Sequence, residues 1–111
     1  MFRIDTSERF KAPVEFTQPG EDGKRHTHTF TGIFKRVPQS YIDDSLGANS
    51  TKTVDGVVAD VFVGFEDVQT ADGKVMESTA ESIATVLSLA GMNQAVFAAF
   101  FKAVKQGPEK N

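Results

Sequence analysis

The chain has 111 residues, 12 Lys and Arg against 15 Asp and Glu, and 40% hydrophobic residues. This size and apolar content suit one domain, residues 1–111, with one core, and exclude a disordered chain. The absence of cysteine excludes disulfides, thiolate zinc sites and thiol nucleophiles, and the mild net charge of -3 argues against general nucleic-acid binding.

The longest apolar runs fall far short of the ~20 residues a membrane span needs. The opening MFRIDTSERF has no apolar h-region, so no secretory signal is expected. Charge is uneven: residues 1–36 sum to +2, residues 37–101 to -7 and residues 102–111 to +2. That pattern could steer basic ends of one copy onto the acidic middle of the next.

Residues 10–18 (FKAPVEFTQ) contain strand formers, and Pro13, having no amide donor, suits an edge strand. Pro19 to Gly23 has loop chemistry. Residues 24–36 then alternate: His26, His28, Phe30, Gly32 and Phe34 share one face, and Thr27, Thr29, Thr31 and Ile33 share the other. Two strands joined by a Pro-Gly loop predict a hairpin, which must pack on something else to be stable. Gly32 inside a strand predicts a bulge or a close backbone approach.

Pro38 is placed to open a helix carrying Tyr41, Ile42 and Leu46, with Gly47 as its C-terminal cap. Val54, Val57, Val58, Val61, Phe62 and Phe65 fall at i, i+3, i+4, i+7, i+8 and i+11. Val61-Val63-Phe65 also alternates, but the helical template matches more positions, so a helix is predicted over about 54–66. Asp72-Gly73 marks a tight turn. Ser78-Thr79-Ala80-Glu81 reads as a capping box, followed by Ile83, Val86, Leu87 and Ala90 on an apolar face and a stop at Gly91. Asn93 is predicted to cap a last helix whose apolar side is Val96, Phe97, Phe100, Phe101 and Val104, ended by Gly107-Pro108 before a frayed EKN. The fold class is therefore α+β: an N-terminal β-hairpin followed by about four helices.

Candidate chemistry is sparse. Ten Phe accompany one Tyr and no Trp, which favours packing and apolar contact over hydrogen-bonded recognition. His26 and His28 would share a strand face, but a metal site needs a third ligand. The pairs Asp43-Asp44 and Glu66-Asp67 are sequence neighbours, whereas catalytic carboxylates need facing positions with split pKa values. No glycine-rich phosphate loop or nucleophile elbow is present. No catalytic, cofactor or metal residue is assigned. On a narrow helical stripe Phe97, Phe100 and Phe101 cannot all point inward. These three and Val104 are the candidate protein-interaction residues.

The order FTGIFKRVPQSYIDD, VVADVFVGFEDV, TADGKVMESTAESIATVLSL, NQAVFAAFFKA resembles the tail assembly chaperones of long-tailed phages and prophages. The resemblance covers about residues 28–111. The family often has Trp where this chain has Phe65. Such a likeness implies a non-enzymatic protein of the bacterial host cytoplasm, absent from the mature virion. It would bind and solubilise the tape measure protein and help recruit the major tail tube protein through a frameshifted long form. It would also form homo-oligomers, sometimes spirals, with no cofactor, nucleic acid or membrane partner. The short form would end near Lys110-Asn111. The alternative is a structural tail or head–tail joining protein of the virion. A third reading is a small hydrolase or metal module built on His26 and His28.

Overall fold

In the computed structural model, residues 7–46, 52–70 and 72–105 are described. Their order is β1 (Arg9–Pro19), β2 (Arg25–Lys35), α1 (Gln39–Leu46), α2 (Val54–Val61), β3 (Phe62–Glu66), α3 (Ala80–Leu87) and α4 (Met92–Lys105). The three strands form one antiparallel sheet in the order β1-β2-β3. An α+β domain with an N-terminal hairpin and four helices is what the alternating and 3.6-period patterns require. The predicted ends at Gly47 and Gly107-Pro108, and the terminal EKN, lie outside the described residues.

The hairpin turn is fastened by its own polar groups. Gly20 N–H donates to Lys24 O at 2.8 Å, and Gly23 takes a φ of 80° that favours glycine. Lys24 N–H donates to Asp22 Oδ1 at 3.0 Å, and His26 Nε2 sits 3.0 Å from the same oxygen. These bonds hold the Asp22 carboxyl below its ordinary range, the Lys24 amide contributing most.

Alternation sorts the sheet into two faces. Ala12, Val14 and Phe16 of β1 and Phe30 and Phe34 of β2 are buried under the helices. Their neighbours Arg9, Lys11, Pro13, Glu15 and Thr17 are exposed on the other face. There, Lys11 Nζ pairs with Glu66 Oε2 across the sheet at 2.9 Å. α4 crosses β1 and also packs on α2 and α3. Phe34 and Phe100, both fully buried, centre a ring cluster with Phe10 and Phe62 at centroid distances of 5.6–6.1 Å. Gly32 is a close approach, as predicted: a Cβ there would meet Phe34 Cε2 at 2.8 Å and Val14 Cγ2 at 3.0 Å.

Four expectations are corrected. The predicted helix over 54–66 is a helix only to Val61, and Phe62–Glu66 is β3. The positions marked by the helical stripe are nonetheless buried or half-buried: Val57, Val58 and Val61 lie on one side of α2, and a register shift between Ile33 and Phe34 sets Phe62 opposite Phe34 and Phe65 opposite Gly32, both on the core side. The strand wins where Gly64 and Glu66 can take ladder bonds from Ile33 and Thr31 of β2, and where Gly64 would weaken a helix by about 1 kcal/mol. The capping box is one residue later than predicted. Thr79 is the N-cap, accepting from Ser82 N–H at 3.1 Å, while Ser82 Oγ accepts from Thr79 N–H at 2.7 Å. Asn93 does not cap α4, which begins at Met92 after Gly91, whose φ is 85°. Gly91 does close the preceding connection, but α3 itself ends at Leu87, leaving Ala90 in the exposed turn.

Candidate functional site

Which sheet edges can still bond follows from the phase of the β1–β2 ladder. Arg36 N–H donates to Glu8 O and Gly20 N–H to Lys24 O, both at 2.8 Å. With the observed register, the even-numbered residues of both strands bond to each other, and the odd-numbered ones turn their N–H and C=O outward.

On β1 the outward positions include Pro13 and Pro19, which carry no N–H. On β2 the outward positions Thr31 and Ile33 pair with Glu66 and Gly64 of β3. Strand β3 stops there. Asp67 takes a φ of 69°, strained for a residue other than glycine, and turns the chain off the sheet. Its Oδ2 accepts from Thr31 Oγ1 at 3.1 Å. Beyond it, Gln69 and Val75 bridge in a small hairpin whose turn holds Gly73 at a φ of 88°. On the far side of β3, Phe65 N–H donates to Ser78 Oγ at 3.1 Å. Gly64 makes that approach possible, since a Cβ there would stand 2.8 Å from the Ser78 oxygen.

Thr27 and Thr29 of β2 are thereby left with outward backbone groups that no strand among the described residues pairs. They border an open groove of about 840 Å³, whose apolar lining includes Phe16, Phe30, Val75, Val86, Leu89 and Met92. Val75 and Leu89 are the exposed large hydrophobic residues among those described, 73% and 44% accessible, and both line this groove. Among its described lining residues Asp67 is the one carboxylate, and neither lysine nor arginine is present. The remaining polar lining is Gln, Thr and His28. The groove offers apolar cover, outward backbone groups of Thr27 and Thr29 and, among its described lining residues, one negative charge.

The predicted interaction residues lie elsewhere. Phe100 and Phe101 are buried in the core, and Phe97 and Val104 are half-buried against it. Phe97 packs edge-on against Phe101 at 4.6 Å. The stripe is wider than a narrow seam because α4 meets β1, α2 and α3 together. His26 is engaged with Asp22, while His28 lines the groove. No cluster of three metal-ligating side chains occurs among the described residues. The carboxylate neighbours diverge: Glu66 pairs with Lys11, and Asp67 with Thr31. Asp43 accepts from Gln39 Nε2 at 2.9 Å. No single described helix is long and apolar enough to cross a membrane.

Sequence reasoning passed over Val75 and Leu89. The available signal was an apolar Val75-Met76 pair just past the polar Asp72-Gly73-Lys74 turn, with no periodic partner to explain it. Compared with protein-family models, curated proteins and solved structures, the chain matches none.

Proposed function

We propose that the protein is a non-catalytic assembly chaperone of the phage tail kind, covering apolar segments of a tape measure protein and helping recruit tail tube subunits. The observation that carries this reading is the convergence of Val75 and Leu89 on one open groove. Soluble domains rarely gather their exposed apolar side chains without a partner for them. The order of motifs from FTGIFKR to NQAVFAAFFKA supports the same reading.

The test is co-expression with a phage tape measure protein. The wild-type chain is expected to raise the soluble fraction of tape measure protein, and a Val75→Asp, Leu89→Asp double variant to lose that effect while keeping its melting temperature. Equal solubilisation by the double variant would remove the groove from the reading. Recovery of the chain in purified tails would replace the chaperone with a structural virion protein.

A further inference from the structure

We propose that the groove takes an extended segment of a partner chain, added as a strand antiparallel to β2 at Thr27–Thr29. This deepens the chaperone reading by naming the form of the bound segment. A helix buries its own backbone bonds and could use only the apolar lining. The outward N–H and C=O groups of Thr27 and Thr29 are satisfied by another main chain, in the line that β3 abandons at Asp67.

The register sets the pattern of the incoming strand. Directly opposed residues of an antiparallel pair point to the same face. The residue opposite His28 points to the side of Phe30 and the apolar lining, and is apolar. The residue opposite Thr29 shares the outer face with Thr31, whose hydroxyl donates to Asp67. It is basic, because Asp67 is the one charged group in a lining without cations. Among the described residues, a second copy of this chain offers its own β2 edge, while its β1 edge carries Pro13 and Pro19 at outward positions and its Phe65 N–H is taken by Ser78.

The probe is an N-acetylated peptide, Arg-Leu-Thr-Val-Thr, labelled with fluorescein at its C-terminal end so that nothing overlaps Glu66 and Asp67, titrated with the full chain by anisotropy. Binding is expected, weakened about tenfold or more by Thr29→Pro, which removes an outward N–H as Pro13 does on β1. Glu15→Pro, at an outward position of β1 away from the groove, leaves affinity unchanged. N-methylation of the peptide at Arg, whose N–H faces Thr29, abolishes binding of the unaltered protein. N-methylation at Leu, whose N–H faces away, does not. No binding, equal binding of both N-methyl peptides, or a helical bound peptide by circular dichroism would overturn the proposal. So would a dimer of the free chain that Thr29→Pro dissociates. If wild-type and Thr29→Pro chains solubilise tape measure protein equally, the strand is wrong and the chaperone reading stands. If neither solubilises it while the peptide binds, the reverse holds.

Discussion

The two outer lengths of the hairpin have opposite chemistry although they belong to one sheet. β1 shows its free edge to solvent with proline at two outward positions and charged side chains at Arg9, Lys11 and Glu15. These are the devices that stop a sheet from adding strands. β2 at Thr27 and Thr29 has neither, and it stands beside an apolar groove. On the outer side of β3 the Phe65 N–H is taken by the Ser78 hydroxyl. An edge left able to bond beside an apolar groove marks where strand addition is permitted.

The comparison can be broken at several points, from the largest expected effect downward. Phe34→Ala empties the centre of the ring cluster that joins the sheet to α4 and should cost about 3–5 kcal/mol. Denaturant unfolding would read this as a lower midpoint, and a loss below ~1 kcal/mol would mean the cluster does not hold the layers together. Gly32→Ala drives a methyl into Phe34 and Val14 and should cost about 1–3 kcal/mol by the same assay. Ser78→Ala leaves the Phe65 N–H without its acceptor. It should cost about 1 kcal/mol and, in hydrogen exchange, deprotect Phe65 without affecting His28. Protection of Phe65 in that variant would show that another group closes the β3 edge.

The smallest effect lies away from every edge, at Tyr41. Its hydroxyl donates to Asp60 Oδ2 at 2.8 Å, tying α1 to α2. Burial first, then the Asp60 carboxylate, push its pKa from 10.0 up to about 12. A raised folded-state pKa gives stability that is complete below pH 10 and lost as pH rises toward 12. Tyr41→Phe should therefore flatten the fall in unfolding midpoint across that window. An unchanged slope would mean that the hydroxyl is not held by Asp60 in solution.

Much of the fold was legible because it rests on short-range rules. The alternation of residues 24–36 set the β2 faces, and Pro13 marked β1 as an edge. The Val54–Phe65 spacing marked the buried positions but not the element, because the register shift between Ile33 and Phe34 lets a strand bury Phe62 and Phe65, three residues apart, as a helix would. Only the tertiary offer of Thr31 and Ile33 as ladder partners decides for a strand. The cap moved from Ser78 to Thr79 for a related reason: Ser78 is engaged by β3, a partner 13 residues away. The candidate site was hardly legible. It arises where Asp67 turns the chain off the sheet, and no local pattern says that Val75 and Leu89 come to line one groove with Thr27 and Thr29. The Phe97 to Val104 stripe was legible as apolar. Its width, set by three packing partners, was not.

Among the described residues, β2 is paired on both sides at Thr31 and Ile33 but on one side only at Thr27 and Thr29. Residue-resolved amide exchange of the free protein tests this directly. His28, Phe30, Thr31 and Ile33 should be protected, while Thr27 and Thr29 exchange at nearly unprotected rates. Protection of Thr27 and Thr29 equal to that of Thr31 would contradict it.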